Sequence, residues 1–233
     1  MLEVKNLTYA HPAGIELFEG LSFSLPEGAF LLLLGANGSG KTTLLDILAG
    51  LLSPSSGEVI LEGSDDREVL MRQTAFLPQE VDHYLLGATV REELEIALYK
   101  GKEPPQPQEI LEISQRWELS EFCDTQIENL SVGQKKRLAL AGALAKSPRL
   151  ILLDEPFSGL DWNGSLRLLK DLENLKKLGR MIILVTHEPS LVEKLADYFL
   201  LIKVGKKFLF TANRNDLEVL PDYGVRPLAW REC

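Results

Sequence analysis

Residues 29–48 read AFLLLLGANGSGKTTLLDIL, and this stretch decides the fold. Its first six residues form a short apolar run, consistent with a strand buried on both faces. The run stops at Gly35, and a helix-compatible stretch, KTTLLDILAG, follows Gly40. Between them Gly35-Ala36-Asn37-Gly38-Ser39-Gly40-Lys41-Thr42 fits the pattern G-x-x-x-x-G-K-[ST], with Thr43 next. The glycines let successive backbone N–H groups turn inward around β- and γ-phosphates, and the helix adds its positive N-terminal end. Lys41 offers the phosphates a point charge, and Thr42 offers Mg²⁺ a hydroxyl ligand.

The second half of such a site lies far downstream. Leu150-Ile-Leu-Leu-Asp154-Glu155 reads as a central strand with Asp154 at its C-terminal end, where α/β sheets bind ligands. Asp154 is the expected holder of Mg²⁺, and Glu155 is placed to polarise an attacking water. A third element, Leu130-Ser131-Val132-Gly133-Gln134, precedes an amphipathic helix with Ser131 as a natural N-cap. A helix start carrying Ser and Gly is a ready anion site, hence a second phosphate reader.

Together these residues resemble the nucleotide-binding subunit of ATP-binding-cassette (ABC) transporters, whose hallmark here is L-S-G-G-Q. The likeness runs over nearly the whole chain with the motifs in the family's order. Val132 stands where the family prefers glycine, which bears on closure geometry; Ser131 and Gly133, the phosphate-contacting positions, are kept. The resemblance implies an α/β fold: a P-loop NTPase core of ABC type, with an antiparallel β subdomain and an inserted α-helical subdomain. It implies a single ABC ATPase domain over 1–233, with 1–78 and 150–233 as core and 79–149 as helical subdomain. It further implies that the residues from Gly35 to Thr43, with Ser131, Gly133 and Gln134, bind ATP. Tyr9, 26 residues before Gly35, corresponds to an aromatic that stacks on adenine. Gln79 matches the glutamine that touches Mg²⁺ and the water and senses the transmembrane partner. Asp161, ending Ser158-Gly-Leu-Asp, belongs to a loop that crosses to the opposite monomer, and His187 matches a histidine on the γ-phosphate.

ATP and Mg²⁺ are thus the implied cofactors. Two ATPase copies, identical or not, pack head to tail, each phosphate loop facing the other's LSVGQ. The stretch after Gln79, with Leu86-Gly-Ala-Thr-Val90 and acidic REELE, and the run QKKRLALAGALA at 134–145 are similar to energy-coupling-factor importers. Those take up vitamins or transition-metal ions, and their ATPases engage an integral transmembrane coupling protein that works with a small substrate-binding membrane protein. The implied location is the cytoplasmic face of the membrane.

Composition agrees with that picture. The chain has 233 residues, 45% hydrophobic and 25% charged, with a formal charge of −9. A chain this long buries enough surface to need no disulfide or metal staple. Its longest apolar run, 29–36, is eight residues and contains Gly35, far short of the ~20 a bilayer span needs. The opening MLEVKNLTY is charged and alternating, unlike a signal peptide. The acidic balance argues against non-specific nucleic-acid binding and against adhesion to an anionic membrane, so a membrane link goes through a protein. Cys123 and Cys233 show no metal-ligand spacing and read as unpaired thiols in a reducing compartment.

Organisation follows from periodicity. EVKNLTY and LSFSL read as antiparallel strands joined by a turn at 12–14, EVILEG and 74–77 as further strands. TVREELEIALYK, QEILEISQRWELSEF and SVGQKKRLALAGALAKS have helical spacing, with EPPQPQ as a break. A helix over 163–178, the strand MIILVTH and a terminal strand pair complete the chain. Lys170, Lys176, Lys177 and Arg180 read as a solvated helix face, and His11 and His83 as surface loop residues.

One alternative stays within transport, and two from other function classes fit the motifs less well. Another importer or exporter shares every motif. Cassette ATPases acting on ribosomes or DNA carry two cassettes, a coiled-coil insertion or basic extensions, whereas only 52 residues separate Gln79 from Ser131 here. A nucleotide sensor without turnover does not need both Glu155 and His187.

Overall fold

The computed structural model describes residues 1–233 except 12, 13, 15, 83, 100–102, 146, 204–206 and 227–233. His83, Cys233 and most of the turn expected at 12–14 lie outside the described residues.

The alternating N-terminal segments form β1 (Leu2–Ala10) and β2 (Glu16–Leu25), which pair antiparallel. After β3 (Phe30–Leu34) and α1 (Lys41–Leu48), β4 (Ser56–Leu61) returns to the other edge of β1, giving the sheet β2-β1-β4. The main sheet holds six strands in the order β5-β6-β7-β3-β8-β9. They are β5 (Thr74–Leu77), β6 (Leu150–Asp154), β7 (Met181–Val185), β8 (Tyr198–Lys203) and β9 (Lys207–Thr211) around β3. All neighbours are parallel except β8 and β9.

The apolar runs of β3, β6 and β7 are unbroken because both faces are covered. Phe30, Leu32 and Leu34 join one buried cluster, Leu31 and Leu33 the other. Successive strand side chains point to opposite faces, so a doubly covered strand shows no polar alternation.

Between β5 and β6 lie α3 (Val90–Leu98), α4 (Pro107–Arg116) and α5 (Val132–Ala145). Leu94, Ile110 and Leu138 share the cluster of Phe30 and Leu32, so these helices pack into the core of the sheet. The proline-rich break itself starts α4: Pro107 occupies the first turn, and Gln106 and Glu109 form a reciprocal capping box. The helix expected to reach Phe122 stops at Arg116, and Glu118 follows with a left-handed φ of 54°. α2 (Arg67–Gln73) is an unexpected element, started by Asp66, whose side chain accepts from the Glu68 and Val69 N–H groups.

α6 (Trp162–Lys177) connects β6 to β7. On its basic face Lys176 bonds Asp197 and Lys177 bonds Glu173, exposed pairs of little energetic weight. Cys123 is free and buried. Among the described residues no helix is long and apolar enough to cross a membrane.

Candidate active site

The strand order assembles the site. β5, β6, β7 and β3 are successive neighbours in register, so their C-terminal ends lie level. Gln79 follows β5, Glu155 follows β6, His187 follows β7 and the phosphate loop follows β3. Lys41, Thr42, Thr43, Gln79, Asp154, Glu155 and His187 therefore line one cleft of about 360 Å³ with Asn37, Gly38 and Gly40.

The phosphate loop is shaped by close approaches. A Cβ on Gly35 would stand 2.3 Å from the Ile202 carbonyl oxygen, so only glycine passes there. Gly40 has φ 95° and faces Phe18 of β2, whose ring would lie 2.9 Å from a Cβ. α1 starts at that glycine without a side-chain cap, leaving its first N–H groups to an anion. Lys41 Nζ donates to the carbonyl oxygens of Gly35 and Ala36 at 2.8 and 2.9 Å, curling back over the loop. Burial pushes its ammonium below the usual range, against the pull of Asp154 and Glu155. Ser39 is buried with its hydroxyl unpartnered among the described residues. The 3-10 segment Arg214–Tyr223 buttresses the loop from outside, Ala36 N–H donating to the Tyr223 carbonyl at 3.1 Å.

Opposite the loop, the Thr42 hydroxyl donates to Asp154 Oδ2 at 2.6 Å. Glu155 adopts φ 49°, a left-handed conformation that costs a non-glycine residue about 1–2 kcal/mol and turns the chain sharply out of β6. Its Oε2 accepts from the His187 backbone N–H at 3.2 Å, and His187 Nε2 stands 3.5 Å from Oε1. Oε1 has no hydrogen-bond partner among the described residues. Burial pushes the carboxyl pKa up, while the His187 N–H and imidazole pull it down. A buried carboxylate with a raised pKa and one unpartnered oxygen suits proton acceptance.

Ser131, Gly133, Gln134 and Asp161 lie elsewhere. They line a separate concavity of about 510 Å³ with Val132, exposed at 64%. Ser131 and Gln134 cap the start of α5 reciprocally: Ser131 N–H donates to Gln134 Oε1 at 2.7 Å, and Gln134 N–H to Ser131 Oγ at 3.3 Å. Asp161 caps α6, accepting from Gly164 N–H. Within one chain the second phosphate-reading turn does not meet the first.

Tyr9 requires correction. It is only 7% exposed, packed in the apolar cluster that also holds Phe18, and does not line the phosphate cleft. The alternation of β1 turns position 9 inward, which spacing from Gly35 could not reveal. Where β1 runs on toward β2 stand exposed His11 and, lining the cleft, Leu17. Lys136 was also missed. It is 2% exposed, and its Nζ donates to the carbonyl oxygens of Glu155 and Ser158 at 2.7 and 2.8 Å. Its place in an otherwise apolar helical stripe was the available signal.

A groove of about 430 Å³ runs between the α3/α5 helices and the α2–β5 region, lined by Met71, Thr74, Tyr84, Leu86 and Ile96 among others. Beside it Val90 is interior, Leu85 half-buried and Leu86 exposed at 75%. Glu93 Oε2 accepts from the N–H groups of Leu86 and Gly87, both at 2.7 Å, and so holds Leu86 outward.

A glycine-rich turn from a buried parallel strand to an uncapped helix, facing a strand-end acid pair, defines a P-loop nucleotide-cleaving protein. The chain belongs to the ABC transporter family, whose pattern matches residues 18–158. It is 35% identical to the cobalt import ATP-binding protein CbiO of Rhodobacter capsulatus, over 97% of this chain and 85% of that one. It is equally 35% identical to the energy-coupling factor transporter ATP-binding protein EcfA of Methanosphaera stadtmanae, over 99% and 86%. Among solved structures it superposes on CbiO1 of Clostridium perfringens, part of the CbiONQ complex, with TM-score 0.77 and 30% identity over 95% of this chain and 90% of that one. A dimeric ATP-binding cassette bound to ADP and Pi gives 0.80 at 27% identity, over 90% and 98%. The chain is accordingly an ATPase subunit of the ABC transporter family.

Proposed function

We propose that this ATPase drives an energy-coupling-factor importer for a vitamin or a transition-metal ion. It works as one half of a head-to-tail pair, the second ATPase being identical or a relative. The observation that carries the pairing is the separation of the two phosphate readers. Ser131 and Gly133 lie in a different concavity from Lys41, so a complete site needs one reader from each of two chains. The importer type is supported by the relatives above, and the ion or vitamin by what such importers carry.

In the proposed cycle the phosphate loop from Gly35 to Thr43 wraps the phosphates of ATP. Lys41 leaves the Gly35 and Ala36 carbonyls to meet them. Thr42, Asp154 and Gln79 share the cleft and would hold Mg²⁺. No cluster of three or more His, Cys, Asp or Glu among the described residues forms a metal cage by itself. That suits a cation which usually takes one or two carboxylates, substrate phosphates and water. A Mg²⁺ held there would supply charge neutralisation on the phosphate oxygens. Glu155 accepts the proton of the attacking water through its unpartnered Oε1, and His187 orients that carboxylate. Leu17 and His11 receive the base in place of Tyr9.

Residues 79–149 act in this proposal as the subdomain that turns when the partner's Ser131 and Gly133 engage the γ-phosphate. Gln79 joins that subdomain to the metal-holding residues. The groove at Leu86 receives a helix carrying basic residues from the transmembrane coupling protein, complementing Glu92 and Glu95. That contact holds the ATPase at the cytoplasmic face of the membrane.

Affinity purification of the chain from detergent-solubilised host membranes tests the importer type. Recovery of an integral coupling protein together with a small substrate-binding membrane protein is expected. Recovery of a transmembrane permease lacking both features overturns the energy-coupling-factor type.

A further inference from the structure

The ammonium of Lys136 is buried in the body of the protein, yet no step of the proposed cycle uses it. Burying a charge is costly unless its donors are satisfied, and Lys136 places two of its three on backbone rather than on a carboxylate. Its Nζ bonds the carbonyl oxygens of Glu155 and Ser158 at 2.7 and 2.8 Å. Those two residues bracket a tight turn, closed by the Ser158 N–H donating to the Glu155 carbonyl at 3.2 Å. Glu155 enters that turn with a left-handed φ of 49°, and the loop to Asp161 leaves it. Lys136 itself sits on α5, five residues beyond Ser131, and that helix begins at the second phosphate reader.

We propose that Lys136 is a positioning residue, fastening the helix that reads the partner's γ-phosphate to the backbone that aims this chain's own Glu155. The inference rests on the head-to-tail reading. Engagement of Ser131 and Gly133 by the partner's nucleotide fixes α5, and α5 through Lys136 fixes the Glu155–Ser158 turn. Each chain's carboxylate is then held by Lys136 and drawn into full alignment when the opposite chain holds ATP. The link couples the two sites without either nucleotide touching the other. It also acts on Glu155 through two carbonyls, so it needs donors at that position and not charge alone.

The test uses the full chain with Mg·ATP. Lys136→Met keeps the length of the side chain and removes its donors. Affinity for a fluorescent ATP analogue is expected to stay within about twofold while kcat falls roughly 10- to 100-fold, the scale of a misplaced catalytic group. Lys136→Gln, which keeps an N–H donor, is expected to regain part of kcat. It carries the same comparison if Lys136→Met does not fold. Unchanged kcat in Lys136→Met, or affinity and kcat falling together in both variants, overturns the proposal.

Mixing separates the two routes by which Lys136 could act. In a mixed dimer of Lys136→Met with Lys41→Ala, the only site with an intact phosphate loop uses the Glu155 of the Lys136→Met chain. No recovery of ATPase is expected, whereas Ser131→Arg mixed with Lys41→Ala should recover in part, because its intact site keeps Lys136 although the opposite loop holds no ATP. Recovery in both mixtures shows that Lys136 serves only the partner's site and overturns the proposal. Failure of the Ser131→Arg mixture to recover sinks the head-to-tail reading instead, and the split between affinity and kcat then decides whether Lys136 aims Glu155.

Discussion

The Thr42 hydroxyl donates to Asp154 Oδ2 across 2.6 Å, joining the phosphate loop to an acid 112 residues further along the chain. The adjacency of β3 to β7 and of β7 to β6 makes this contact possible, since it sets three strand ends side by side. Asp154 thereby points at the first turn of α1, and Glu155 is free to turn toward His187.

From that arrangement Lys41→Ala is expected to abolish ATP binding, because the phosphates lose their fixed cation. Glu155→Gln should retain binding, stop turnover and accumulate an ATP-bound dimer on size exclusion. Undiminished hydrolysis by Glu155→Gln excludes Glu155 as the proton acceptor.

The same substitution has a pH signature. Burial raises the Glu155 pKa above its unfolded value, so the ionised carboxylate costs stability near neutral pH. That cost is absent below the ordinary carboxylate range, where both states are protonated, and grows as pH rises through the folded pKa. Glu155→Gln should therefore raise the thermal midpoint near neutral pH, with the gain vanishing towards about pH 4. A gain independent of pH points to packing and not to desolvation of the charge.

Tyr9→Ala is expected to act as a core truncation, costing about 3 kcal/mol in denaturant unfolding. The preference for ATP over nucleotides with a smaller base should not change. His11→Ala should weaken ATP binding by about 0.5–1.5 kcal/mol, the scale of an aromatic contact, and leave stability near that of the parent. Reversed outcomes return the base-stacking role to Tyr9.

Leu86 and Val90 are four residues apart and should behave oppositely. Leu86→Asp alters an exposed side chain, so basal ATPase and thermal midpoint are expected to hold while co-purification of the membrane partner is lost. Val90→Asp places a carboxylate in the core and should destabilise the fold by about 3 kcal/mol or more. Full co-purification by Leu86→Asp moves the docking surface away from this groove.

The sequence by itself carried the phosphate loop, the strand-end acids and the LSVGQ turn. Each is a local pattern: a glycine spacing, an apolar run ending in Asp154, a Ser131 cap answered by Gln134. It also carried the alternation that marks β1 and β2, and the helical period of α3, α4 and α5. Tertiary structure decided what period and spacing do not encode. The inward face of β1 buries Tyr9, because register with β2 chooses which side chains meet the apolar cluster. A capping Asp66 makes α2 a helix against too short a periodic stretch for pattern alone. Lys136 reads as a polar break in α5 until the fold brings two carbonyls from beyond β6 to its ammonium, 19 and 22 residues away. Local hydrogen bonding and periodicity are written in neighbouring residues, whereas a buried charge acquires its partners only when distant segments are packed together.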